Sequence, residues 1–144
     1  MPSDRAKLEN LARARQLHAE APDEREIAKL LASGRSFLTD AGRPGLGTGS
    51  RFSLAYNAAH SLALAALRSA GYRPAAGPGH RRIVFQTLQF TAGASARLAL
   101  ALAQYHDRRN KIEYEATVPT QVEARDLVEL VAELEALVTK QIKG

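Results

Sequence analysis

The sequence predicts an all-α fold: an up-and-down bundle of four long helices plus an N-terminal helix, in a single domain over residues 1–144. Three observations lead there. The chain has 27 alanines and 19 leucines against 10 valines and isoleucines together, a composition that suits helices and starves strands. Its apolar residues recur every three or four positions rather than every second one. Residues that start and stop helices separate these patterned stretches.

The first stretch, Asp4–Ala19, reads as a helix from its composition and from the shared face of Leu8, Leu11 and Ala12. A second helix begins at Pro22 and Asp23, where Asp23 and Glu26 have capping-box spacing. Its apolar face is Ile27, Leu30, Leu31, Gly34, Phe37 and Leu38. A glycine inside a helix costs about 1 kcal/mol against alanine, so Gly34 suggests a close helix crossing. Ala41–Ser50, with four glycines and a proline, is a connector. It lacks the lysine that a phosphate-binding P-loop needs.

The third helix, Ser50–Ala70, carries small residues on most faces, so it is expected at the centre, stopping at Gly71. After the turn GYRPAAGPG, a fourth helix is expected from His80 to about Tyr105 or further. Its seam of Val84, Leu88, Thr91, Ser95, Leu98, Leu102 and Tyr105 alternates by four and three. Thr120 and Glu123 cap the last helix, whose buried stripe is Leu127, Leu130, Val131, Leu134, Leu137, Val138 and Ile142.

The net charge of +5 is unevenly spread. Residues 1–50 carry 8 basic and 7 acidic groups, residues 51–112 carry 9 basic groups against Asp107 alone, and residues 113–144 carry 3 basic and 7 acidic groups. The basic middle suits an anionic partner such as nucleic acid, nucleotide or acidic protein. Alternatively, the acidic last helix neutralises it from alongside. With no cysteine there is no disulfide, thiolate metal site or cysteine nucleophile. No apolar run is long enough to span a membrane and MPSDRAKLEN is not a secretory signal, so a cytoplasmic protein without membrane contact is expected. His18, His60, His80 and His106 lack metal-binding spacing, so no metal or other cofactor is expected. His60, within the apolar third helix, reads as a hydrogen-bonded core or interface histidine, and His80 as a simple turn residue.

The chemistry is concentrated in YHDRRNKIEYE, residues 105–115. On a helix, Tyr105 and Arg109 lie four apart, as do His106 and Asn110, and Asn110 and Tyr114. An arginine and an asparagine facing a groove can clamp a phosphate or a base, and Tyr105 or Tyr114 can stack on a base. Arg108 adds positive charge, and Arg81 and Arg82 extend it from the start of the fourth helix. Against this, Asp107, Glu113 and Glu115 can hold the arginines in an ion-pair network that fixes the helix junction.

The pattern Y-x-x-x-R-N-x-x-x-Y, on Tyr105, Arg109, Asn110 and Tyr114, resembles the signature region of the HEPN superfamily (higher eukaryotes and prokaryotes nucleotide-binding domains). The order of AYNAAHSLALAALRSAGYRP, GHRRIVFQTLQF, the arginine motif and a final helix is similar to small stand-alone bacterial members. The resemblance covers about Ser50–Ile142. It implies a helical homodimer with the two motifs facing across the dimer cleft, binding RNA, nucleotide or another phosphate-bearing ligand. Many such domains are metal-independent ribonucleases in toxin–antitoxin or defence systems.

On that resemblance Arg109 contacts phosphate, and Asn110 bonds the ligand or positions Arg109. The histidine expected five residues after the arginine is Tyr114 here. Unperturbed tyrosine titrates near pH 10, so it is a poor general base at neutrality. An active ribonuclease therefore needs Tyr114 or His106 as the substitute. A further alternative is a non-enzymatic interaction module for an antitoxin or a nucleotidyltransferase-like protein.

Overall fold

The computed structural model describes residues 4–77 and 79–143. Met1–Ser3, at the expected leaderless start, Pro78, in the expected turn, and Gly144 lie outside the described residues. In chain order the elements are α1 (Asp4–Arg13), β1 (Leu17–Ala19), α2 (Glu24–Ala41), α3 (Thr48–Ser69), β2 (Tyr72–Pro74), α4 (Ile83–Gln86), α5 (Leu88–Thr91), α6 (Ala96–Tyr114) and α7 (Gln121–Lys143). The chain is mostly a helical bundle, with a small sheet that the sequence does not announce. No described helix is long and apolar enough to cross a membrane.

Helix α3 is the centre. Ala55, Ala58, Ala59, Leu62, Ala63, Ala65, Ala66 and Leu67 are all buried, with α2 and α7 packed along its length. Small side chains let the neighbours approach. The closest approach is at Gly34 of α2, where an added Cβ would stand 2.7 Å from the Leu62 Cγ. The α7 stripe closes the core: Leu127, Leu130, Val131, Leu134 and Val138 are buried, and Leu137 and Ile142 pack at its edge. Its capping box is complete, with the Thr120 amide donating to Glu123 Oε1 at 2.9 Å and the Glu123 amide donating to Thr120 Oγ1 at 3.1 Å.

Three expectations need correction. The N-terminal stretch is helical only to Arg13; Arg15 adopts φ 63°, and Leu17–Ala19 then pairs antiparallel with Tyr72–Pro74. A three-residue strand is too short for its alternation to register in the sequence. The fourth helix is broken as well. Thr87 turns its hydroxyl back onto the Ile83 and Val84 carbonyls, and Gly93 adopts φ 67°. Ser95 then caps a fresh helix by accepting from the Leu98 amide at 3.1 Å. The predicted seam is still mostly buried at Val84, Leu88, Thr91, Leu98 and Leu102, so the packing pattern survives the break. Finally, Asp23 caps α2 by accepting from the Arg25 and Glu26 amides, but Glu26 does not reciprocate.

Glu26 is engaged by Arg68, which is 0% exposed at the end of α3. The Arg68 Nε donates to Glu26 Oε1 at 2.7 Å, Nη1 donates to the carbonyls of Glu20 and Tyr72, and Nη2 donates to that of Ala21. Arg73 of β2 bridges Glu20 and Glu26 from outside. One buried guanidinium thus joins the end of α3, both strands' flanks and the start of α2. Breaking such a pair from one side leaves buried groups unsatisfied, at about 3–5 kcal/mol. Arg68→Ala is accordingly expected to lose about that much in urea unfolding at neutral pH; a loss under 1 kcal/mol would contradict the role. Gly34→Ala is expected to cost about 1–3 kcal/mol by forcing Leu62 aside, measured the same way.

Candidate functional site

Helix α6 and the turn before α4 meet along the middle of α3. Tyr56 and His60 are four residues apart on α3, so they share a face. Helix α6 brings His106, Arg109 and Asn110, and the turn before α4 brings Arg81. Phe85 of α4 packs against both imidazoles, its ring centre 6.3 Å from that of His60 and 6.0 Å from that of His106.

The His106 ring is held through both nitrogens. Asn110 Nδ2 stands 3.4 Å from His106 Nε2, and the Tyr56 hydroxyl stands 2.8 Å from His106 Nδ1. The Arg109 guanidinium lies 5.0 Å over the Tyr56 ring, a cation–π contact, and pairs with Glu113 at 2.9 Å. Tyr56 and Arg109 line a cavity of about 190 Å³ together with Ser53, Asn57 and Glu113.

Burial and positive neighbours keep these rings uncharged. Burial first, then Arg81, His106 and Arg109, push His60 down to about 4. Burial likewise lowers His106; Arg109, Arg81 and Arg82 act in the same direction, and Asp107 opposes them. Burial raises the Tyr56 hydroxyl, with Arg109 and Arg81 opposing. The site therefore presents neutral hydrogen-bonding groups beside cations.

The nominated residues do not all converge. Arg109, Asn110 and His106 come together, and Arg81 lies close enough to act on Tyr56, His60 and His106. Tyr105 and Arg108 face α7 instead. The Tyr105 hydroxyl donates to Asp126 at 2.6 Å, and Arg108 Nε pairs with Glu123 at 2.8 Å. These residues line a separate cavity of about 290 Å³. Arg82 is held by both oxygens of Asp107. Tyr114 ends α6 at 84% exposure and is not among the residues that line the cavity beside Tyr56 and Arg109. His60 is half-buried and has no hydrogen-bond partner among the described residues, which corrects the core half of the expectation of a hydrogen-bonded core or interface histidine. His80 bonds the Ala76 carbonyl in its turn. Among the described residues no group of three histidine or acidic side chains could hold a metal ion.

Tyr56 and His60 were the residues not nominated from the sequence. Their four-residue spacing is the same signal that drew attention to Tyr105 and Arg109, but it lay within an alanine-rich helix that read as core. Compared with known proteins, the chain matches no family model, no curated protein and no solved structure.

A histidine whose folded form resists protonation contributes stability that is complete above its unfolded value of 6.5 and is lost as the pH falls toward the folded value. For His60 that window runs from 6.5 down to about 4, and the loss amounts to about 3 kcal/mol. Urea unfolding at pH 7.5 and pH 4.5 should reveal this loss, and His60→Gln should flatten the difference. An equal pH dependence in the variant would show that His60 is not held neutral.

Proposed function

We propose that this protein is a HEPN-like helical homodimer that binds RNA, nucleotide or another phosphate-bearing ligand at the Arg109–Asn110 face of α6. The observation that carries this reading is the gathering of Arg109, Asn110, His106, Tyr56 and Arg81 beside the middle of α3. Such a group offers a phosphate charge, fork-like donors and neutral hydroxyl and imidazole partners in a partly desolvated setting, where hydrogen bonds to an anion are strongest. Tyr114, Val118 and Val122 are exposed apolar side chains around the turn from α6 to α7. Their exposure supports the expectation that a second copy covers this side.

A metal-independent ribonuclease is the second reading, and one observation favours it. His106, not Tyr114, lies in the cluster next to Arg109, held neutral with Nδ1 fixed on Tyr56. On this reading Nε2 takes the proton from a ribose 2′-OH, which attacks the phosphorus; the P–O5′ bond breaks, the 5′-oxygen leaves as a hydroxyl with a proton from water, and Nε2 returns its proton to solvent, giving a 2′,3′-cyclic phosphate end. Arg109 then stabilises the charge that develops on the phosphate oxygens.

Binding of short single-stranded RNA, followed by fluorescence polarisation at several salt concentrations, tests the first reading. Arg109→Ala is expected to weaken it at least about tenfold and to lower the salt slope by about one. Binding that is weak and unaltered in the variant would refute the proposal. For the second reading, cleavage should persist in chelator, produce cyclic phosphate ends, and vanish in His106→Ala. Intact RNA after incubation at concentrations that populate the dimer would exclude it.

A further inference from the structure

The cavity of about 190 Å³ beside the cluster lies between α3 and α6, and its lining is mixed in character. Helix α3 contributes the buried rings of Phe52 and Tyr56, with the exposed Ser53 and Asn57 four residues apart. Helix α6 contributes the half-buried Ile112 and the Arg109–Glu113 pair. Two aromatic rings and an isoleucine thus form an apolar lining, with polar side chains from both helices beside it.

Glu113 is the only carboxylate among the described residues of that lining. Arg109 is its one ion-pair partner among the described residues, at 2.9 Å. The pair is balanced in charge, so it has little pull on a further cation. The carboxylate still has acceptor capacity, because its two oxygens together offer about four lone-pair sites. On the facing helix, the Asn57 amide makes no hydrogen bond to a described residue. Such a hollow suits a flat, neutral molecule that carries adjacent N–H donors on one edge.

We propose that this cavity receives the base of one guanine nucleotide of a single-stranded RNA, with the Glu113 carboxylate as the specificity-determining acceptor. This rests on the reading of the Arg109 face as a phosphate-ligand site and names the base recognised beside it. Guanine carries N1–H and N2–H₂ side by side on its pairing edge, and the two oxygens of one carboxylate can accept from both. Adenine and cytosine set an amino donor beside a ring-nitrogen acceptor, and uracil flanks its single N–H with two carbonyls. Each of those three would bring an acceptor against a carboxylate oxygen, which leaves the contact repulsive. Asn57 can donate to the O6 or N7 acceptor that only a purine of this kind offers together. Phe52, Tyr56 and Ile112 meet the apolar faces of the ring. A guanidinium has five N–H donors, so Arg109 can hold Glu113 and still reach a neighbouring phosphate of the same strand.

Fluorescence polarisation with hexauridylate, and with the same RNA carrying one guanosine, adenosine or cytidine at its third position, tests the proposal. The guanosine form is expected to bind roughly tenfold more tightly than the other three. In Glu113→Gln, checked for an intact thermal transition, the guanosine form is expected to bind no better than hexauridylate, because the amide puts a donor where guanine needs an acceptor. Glu115→Gln, which removes an equal charge from an exposed side chain two residues on, should keep the preference. Equal affinity for all four RNAs, with binding still lost in Arg109→Ala, would overturn the base subsite while leaving the broader reading intact. A guanosine preference that persists in Glu113→Gln would overturn it too, as would an equal weakening of all four RNAs in that variant. Failure of the wild-type protein to bind any of the four would remove both.

Discussion

Helix α3 is enclosed by protein over most of its surface, and every polar side chain it carries inward must find a partner there. Its alanines make the enclosure possible by letting α2 and α7 approach closely. The constraint is met differently along its length. Near the C-terminal end, Arg68 is wholly buried and the protein supplies two carboxylates and three carbonyls around it. Around the middle, Tyr56 and His60 receive imidazole and guanidinium neighbours and no carboxylate hydrogen bond among the described residues.

The same contrast explains the charge pattern along the chain. Most of the positive charge in residues 51–112 is consumed internally. Arg68 and Arg73 share Glu20 and Glu26, Arg97 meets Glu133, and Arg108 meets Glu123. The acidic last helix supplies only Glu123 and Glu133 to these pairs; Glu20 precedes α2, Glu26 lies in α2, and Asp107 and Glu113 lie in α6 itself. What remains near the motif is Arg81 and Lys111, which make no ion pair among the described residues, and Arg109 shared between Glu113 and the Tyr56 ring.

Sequence was most informative where local chemistry decides structure. The Thr120–Glu123 capping box, the stop at Gly71 with φ 93° and the α7 stripe follow from residues a few positions apart. Gly34 signalled the crossing with α3 because only a missing Cβ fits against Leu62. It was least informative where distant residues decide. The β1–β2 pair joins Leu17 to Pro74 through contacts no local pattern encodes. Thr87 and Gly93 broke a helix whose apolar rhythm continued through the break. At the site, Arg109, Asn110 and His106 were legible from helical spacing, but the partners that give them meaning, Tyr56 and His60, lie about fifty residues earlier in a helix that looked purely structural.

On the proposed reading, the Tyr56 face of α3 and the motif on α6 form one site for a phosphate-bearing ligand. An NMR titration of short phosphorylated RNA into isotopically labelled protein tests it most directly. The predicted result is that the side-chain Nε–H signals of Arg81 and Arg109 and the ring signals of His60 and His106 move together, at one saturating concentration. Signals that move instead on the Arg108–Asp126 side of α6, or that do not move at all, would contradict the account.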